Sequence, residues 1–198
     1  MSDQQALHSW ITEIRARLEQ PSPKRLPPSD TRQAAVLIPL YVDAGQLWTL
    51  LTKRTEHLPT HKGQIAFAGG SLEEGEDAWQ GALREAHEEI GIEPKSVLKL
   101  GMLDEAETPA GFRVTACVGV VPYPIETVIN EGEIDEVFAV PLSALANPEL
   151  VEDRTVLIDE EEKMLRIYHV GRRQIWGLTA RMIQNLLVRL GMDPVIGS

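Results

Sequence analysis

Three glutamates, Glu85, Glu88 and Glu89, stand at i, i+3 and i+4 within GSLEEGEDAWQGALREAHEEIGI, residues 70–92. On a helix, where successive side chains turn by about 100°, that spacing gathers them on one narrow face. Like charges so placed destabilise an isolated helix by about 0.2–0.5 kcal/mol per pair. The crowding has a use if a hard divalent cation sits among them, and oxygen donors suit Mg2+ or Mn2+ better than Zn2+. Alone, such a triplet is more often a solvated helix face, so its surroundings decide.

Those surroundings are built to hold a helix in place. Trp79, Leu83, Ala86 and Ile90 form an apolar face beside the carboxylates, as expected of a helix packed on a core. Asp77 is a predicted N-cap, with Gln80 completing a capping box, and Gly91 ends the helix as a C′ glycine. Gly69 and Gly70 let the preceding chain bend tightly and present its carbonyl oxygens or amides. Glu76 and Arg84 read as a pair tying this loop to the helix.

Gly70, Glu76, Arg84, Glu85, Ala86, Glu88, Glu89, Gly91 and Ile92 resemble the Nudix box at each of its fixed positions. The resemblance implies a loop, helix and loop that bind Mg2+ or Mn2+ and hydrolyse a diphosphate linked to a second moiety. It makes Glu85 and Glu89 the metal ligands, assisted by Glu88 and the Gly70 carbonyl. Arg84 joins the catalytic group through its tie to Glu76. For the base that takes the proton of water it offers Glu88 or a carboxylate near residue 133, with Glu136 preferred over Glu133. The implied fold is an α/β/α sandwich with a mixed sheet.

Upstream, Leu50, Leu51, Thr52, Arg54, Gly63, Phe67, Gly69 and Gly70 are spaced like LLTxR(S/A)xxxRxxxGxxxFPGG, a motif of the coenzyme A pyrophosphatase branch. RQAAVLIP, from residue 32, and IWGLTA, from residue 175, are similar to other stretches of that branch. Coenzyme A or a derivative, cut to 3′,5′-ADP and 4′-phosphopantetheine, is then the implied substrate. Thr55, Pro59 and Ala68 depart from the motif. Pro59 lacks the guanidinium that would grip a phosphate in bidentate fashion, and Lys62 or His61 is the nearest substitute. Arg54, Lys53, His61 and Arg32 are candidates to steer substrate phosphates, each equally readable as a surface charge. An ADP-sugar or dinucleotide substrate, or a nucleotide-binding module without turnover, are the alternatives.

The whole chain bounds these readings. Its 198 residues suit one sizeable core, and 43% hydrophobic with 25% charged residues describe an ordinary globular protein. A net charge of −11 argues against nucleic acid as partner, though not against a small nucleotide. One cysteine, Cys117, permits no internal disulfide and reads as a buried small hydrophobe. The first residues lack a signal-like core, and no run of 18 apolar residues exists. These features predict a cytoplasmic enzyme without membrane contact.

Residues 1–30 read as an amphipathic helix, with Leu7, Ile14 and Leu18 on its stripe, followed by an extended arm holding Pro21, Pro23, Pro27 and Pro28. Residues 31–198 form the second unit. RQAAVLIPLYV and QLWTLLTKR pair around Asp43-Ala44-Gly45. SVLKLGMLDE and VTACVGVVPY are further strands, and VFAVPL is a short one beginning after Glu136. RTVLID and KMLRIYHV form a hairpin, and LTARMIQNLLVRLGM closes the chain as a helix. The N-terminal stripe must be covered by its own domain or by a second copy in a homodimer.

Overall fold

The computed structural model describes residues 3–27, 30–56, 62–158 and 161–194. Its centre is β1 (Arg32–Asp43), with almost every residue from Ala34 to Val42 buried. A continuous apolar run suits a strand covered on both faces. β1 runs antiparallel to β2 (Gln46–Arg54) on one side and parallel to β7 (Phe112–Val120) on the other. β5 (Leu98–Met102) and β6 (Ala106–Glu107) extend the β7 edge, and β8 (Ile134–Pro141) lies along the outer side of β2.

β1 and β2 part company after the Leu40–Thr49 pair, and the segment leading to the carboxylate helix fills the gap. Its β3 (Ile65–Ala66) pairs with Thr52 and Lys53, and its β4 (Gly69–Ser71) pairs with Ala34 to Val36. Pro39 sits at this parting, where its missing N–H costs no ladder bond. The Thr49 hydroxyl donates to its carbonyl at 2.9 Å. A Cβ on Gly69 would lie 2.4 Å from the Ala35 carbonyl oxygen, so only glycine fits.

Alternation along the central strands feeds two cores. Ala35, Leu37, Leu50 and Cys117 face α2 (Ala78–Ile90), whereas Ile38, Leu40, Leu51, Ala116 and Val118 face α1 (Asp3–Glu19) and α4 (Gly177–Leu190). The expected α/β/α sandwich is what forms. Beyond it, β9 (Val151–Ile158), β10 (Glu161–Val170) and β11 (Arg173–Ile175) make a separate three-stranded sheet that includes the expected hairpin. One short helix, α3 (Leu142–Leu145), links β8 to it.

The stripe of α1 is covered within the chain: Ile14 and Leu18 are fully buried against β5 and α4. The arm after it is extended and pinned by charge. Asp104 accepts from the Lys24 amide at 2.8 Å and from Arg189 at 2.6 Å, and Glu105 accepts from the Leu26 amide at 2.8 Å and Arg25 at 3.0 Å. Hence SVLKLGMLDE is strand only to Met102, and its last residues serve as clamps.

The edge strand departs from expectation at its start. β8 begins at Ile134, so Asp135 and Glu136 lie within it. Lys53 pairs with Glu136 but Arg54 with Ile134, leaving Asp135 as an extra residue in a bulge. Glu133 lies just outside the strand, its carbonyl accepting from the Thr55 amide at 2.9 Å, and Glu136 lies within it opposite Lys53.

Candidate active site

Local sequence sets α2 firmly in the parting of the sheet. The Asp77 carboxylate accepts from the Gln80 amide at 2.8 Å, and the Gln80 side chain accepts from the Asp77 amide at 2.9 Å, so the capping box forms. Gly91, at φ 74°, closes the far end.

The three glutamates do not share one solvated face. Glu89 is 1% exposed, while the Glu88 side chain is 54% exposed and Glu85 lies between. Ala82, Ala86 and Ile90 form the buried stripe, and Trp79 and Leu83 are only partly covered. The small alanines let α2 approach the split sheet closely, which carries the i+4 carboxylate beneath the Gly69 amide. Gly70 is in similar contact: a Cβ there would lie 2.4 Å from a Glu85 carboxylate oxygen.

Two arginines organise the carboxylates. Arg84 donates to Glu76 at 2.8 and 3.1 Å, to the Ser71 carbonyl at 2.9 Å, to Glu85 at 3.0 Å and to Glu88 at 3.1 Å. The Glu76–Arg84 tie thus forms, and the same guanidinium holds two of the three helix carboxylates. Arg54, from the end of β2, donates to Glu89 at 3.0 Å and stands 3.9 Å from Glu133. The Gly69 amide donates to the second Glu89 oxygen at 3.1 Å.

These contacts fix the electrostatics. Burial pushes the Glu89 carboxyl up to about 7, against the pull of Arg54 and the Gly69 amide, and the charges of Glu85 and Glu133 push the same way as burial. Burial also raises Glu85, with Arg84 opposing. The bond from Arg84 lowers Glu76. Negative charge near Glu89 is therefore incompletely compensated by protein cations.

The remaining candidates disperse. Glu136 bonds Arg173, whose guanidinium stacks 4.3 Å above Phe138, and it is not among the groups facing Glu85 and Glu89. Glu136 shares the sheet face of Lys53, its partner on β2, whereas Glu133, in the turn before β8, stands beside Arg54 and is the carboxylate opposite α2. Lys53 stands 3.9 Å from Asp135 and 4.0 Å from Glu56, on the sheet face away from α2. Arg32 stacks 4.0 Å above Phe112 at the start of β1. His61 and Pro59 lie outside the described residues. Arg172 and Arg173 have no local sign in the sequence beyond a two-arginine turn after Gly171. Cys117 is fully buried, and desolvation pushes its thiol up to about 12, which suits a core residue.

Among the described residues no three acidic, His or Cys side chains converge into a ready metal cage, because Arg54 and Arg84 hold the carboxylates. The donors nonetheless fit a hard cation: all are oxygens, and the buried Glu89 carries charge that a divalent ion would stabilise. Such an arrangement can orient a diphosphate and deprotonate a water.

The chain matches the NUDIX domain over residues 31–160. It is 37% identical over 164 residues to the uncharacterized Nudix hydrolase NudL of Enterobacter sp. (strain 638), covering 82% of this chain and 85% of that one. Identity to the protein of the same description in Escherichia coli (strain K12) is 34%, at the same coverage. Among solved structures, a MutT/nudix family protein from Enterococcus faecalis superposes with TM-score 0.56 at 15% identity, over 99% of this chain and 79% of that one. The Nudix hydrolase RenU from M. smegmatis gives 0.51 at 24% identity, over 59% and 74%. At these identities the two structures speak for the fold. A chain that matches the domain across most of its length, and curated relatives across most of theirs, belongs to the Nudix hydrolase family, whose members cleave nucleoside diphosphates linked to a second moiety.

Proposed function

We propose that this chain is a Mg2+- or Mn2+-dependent hydrolase of coenzyme A or its derivatives, releasing 3′,5′-ADP and 4′-phosphopantetheine. The observation behind the hydrolytic part is the buried Glu89, faced by Glu85, Arg54 and Glu133. Coenzyme A rests on the motif from Leu50 to Gly70.

Glu85 and Glu89 are the proposed cation ligands, with Glu88 and the Gly70 carbonyl in support. When bound, the cation lowers the pKa of a coordinated water and takes up charge on the diphosphate. Glu133, rather than Glu136, accepts the proton of the attacking water. Water adds to one phosphorus, the bridging P–O bond breaks, and both halves leave as phosphate monoesters. Arg54 offers the guanidinium donors not used by Glu89 to a phosphate oxygen. Arg84 touches no substrate and acts by holding Glu85 and Glu88.

Hydrolysis with Mg2+ or Mn2+ of coenzyme A, acetyl-coenzyme A, ADP-ribose, NADH and diadenosine polyphosphates, with products identified by mass, tests this reading. Coenzyme A is expected to lead by about tenfold in kcat/KM, which is about 1.4 kcal/mol of transition-state preference. A different best substrate would remove coenzyme A and leave the hydrolase. The rival reading, a nucleotide-binding module, requires silence across the panel, and the intact network of Arg84, Glu76, Glu85 and Glu88 speaks against it.

A further inference from the structure

Lys53 of β2 and Arg172 and Arg173 at the start of β11 come from distant parts of the chain and meet around one depression of about 440 Å3, walled also by Ile65, Glu136 and Gln174. Strand alternation turns Lys53 and Arg54 to opposite faces of the sheet, so this depression is separate from the Glu89 side. β2 ends at Arg54, the residue after Lys53, so the two sides adjoin at the end of this strand.

The lining holds three cations against one carboxylate, in a chain whose net charge is −11. Arg173 is committed, bonded to Glu136 and stacked on Phe138. Arg172 is exposed and has no ion-pair partner among the described residues. The Lys53 ammonium stands 3.9 and 4.0 Å from Asp135 and Glu56, beyond the range in which its protons are satisfied. Two cations with unused donors thus flank a fixed guanidinium. The volume lies within the usual range of small-ligand sites, larger than a lone phosphate fills.

We infer that this depression is a second anion subsite, taking a phosphomonoester of the substrate that is not itself cleaved, with Arg172 and Lys53 as its donors and Arg173 as its rigid wall. The inference rests on the reading of the chain as a hydrolase whose substrate carries a phosphate beyond the scissile pair. A dianionic phosphomonoester matches the Arg172 guanidinium and the loosely paired Lys53 ammonium better than a carboxylate does.

The test compares kcat/KM for coenzyme A and 3′-dephospho-coenzyme A in the wild type and in Arg172→Ala, Arg172→Lys and Arg172→Glu. One charge-assisted contact corresponds to about a tenfold preference. The wild type should favour the 3′-phosphorylated substrate by at least that factor, Arg172→Ala and Arg172→Glu should abolish most of the preference, and Arg172→Lys should restore part. Because the readout is a ratio within each variant, a general loss of folded protein does not mimic it. Equal use of both substrates by the wild type, or a preference untouched by Arg172→Glu, would overturn the subsite. Should neither compound be cleaved, the substrate reading fails by itself, and calorimetric titration with adenosine 3′,5′-bisphosphate and AMP still judges the subsite. Tighter binding of the bisphosphate, lost in Arg172→Ala, supports it; equal affinities refute it.

Discussion

Under α1 and α4 the sheet is packed with hydrocarbon, from Ile14 and Leu18 through Leu40 and Leu51 to Leu186 and Leu187. Under α2 the packing is smaller, made of Ala35, Ala82, Ala86 and Ile90, and interrupted by Glu89 and the Arg54 guanidinium. Carboxylates on the first side sit at the rim and are satisfied. Burial opposes the charge of Asp104, yet the Lys24 amide, Arg189 and Asn185 hold its carboxyl below the ordinary value. Among the described residues Glu89 has only Arg54 and one amide, and its carboxyl rises to about 7. One face supplies stability, and the other holds a carboxyl whose charge the protein compensates only in part.

The sharpest way to break this contrast is to exchange the two acidic candidates on β8. Glu133→Gln should lower kcat by about 100-fold or more, the usual contribution of a positioned base, with little change in Tm. Glu136→Gln should leave hydrolysis of a substrate without the extra phosphate within a few fold. A reversed order, read from steady-state rates at saturating Mg2+, would move the base across the sheet to the side of Lys53.

The next effect is on folding. For a carboxyl raised from 4.5 to about 7, the folded state binds the proton more tightly. Its contribution is complete below the unfolded value and is lost as pH rises through 7, amounting to about 3 kcal/mol for one group. Metal-free protein should therefore lose stability between about pH 4.5 and 7, and Glu89→Gln should flatten that decline. Asp104 has the opposite sign: its stabilisation is present above its unfolded pKa and is lost on acidification through its lowered folded value. Because the ligand must be deprotonated, added Mg2+ should raise Tm more at pH 8 than at pH 6. Equal increments at the two pH values would exclude Glu89 as a cation ligand.

A comparable loss of stability, without the chemistry, should come from the hydrocarbon side. Ile14→Ala removes a fully buried side chain and should cost about 2–5 kcal/mol, measured by denaturant unfolding. The kcat of the molecules that remain folded should be unchanged, since α1 is separated from Glu89 by the sheet. A fall in kcat matching the fall in stability would show that the faces are coupled.

What could be read from the chain alone divides along the same line. Local signals worked because local physics produces them: Asp77 and Gln80 cap α2, Gly91 ends it, and the apolar period of residues 4–19 becomes a helix with Ile14 and Leu18 inside. The Nudix box carried Arg84 and Glu76 correctly as a tie. Helical spacing put Glu85, Glu88 and Glu89 together but could not say that Glu89 would be buried, since that depends on β1 and β2 parting around residues 65–71. Likewise, composition near Glu133 and Glu136 gave no hint of the extra residue in the β2–β8 register. Arg172 and Arg173 escaped notice because their meaning lies in a depression shared with Lys53, more than a hundred residues away in sequence.

Arg84→Lys is the finest probe, because it keeps the charge and removes only the geometry. The guanidinium reaches Glu76, Ser71, Glu85 and Glu88 at once, at 2.8 to 3.1 Å. A lysine ammonium has three donors on one point and cannot span four acceptors held by a planar fork. Glu85 and Glu88 should then wander, and the Mg2+ concentration for half-maximal rate should rise by about 10–100-fold, as when the partner of a metal ligand is removed. At saturating Mg2+ the kcat should return close to that of the wild type, because Arg84 makes no contact with the reacting atoms. A kcat that stays low while the metal dependence is unchanged would mean that Arg84 touches the substrate. The wiring of α2 would then be chemistry rather than support.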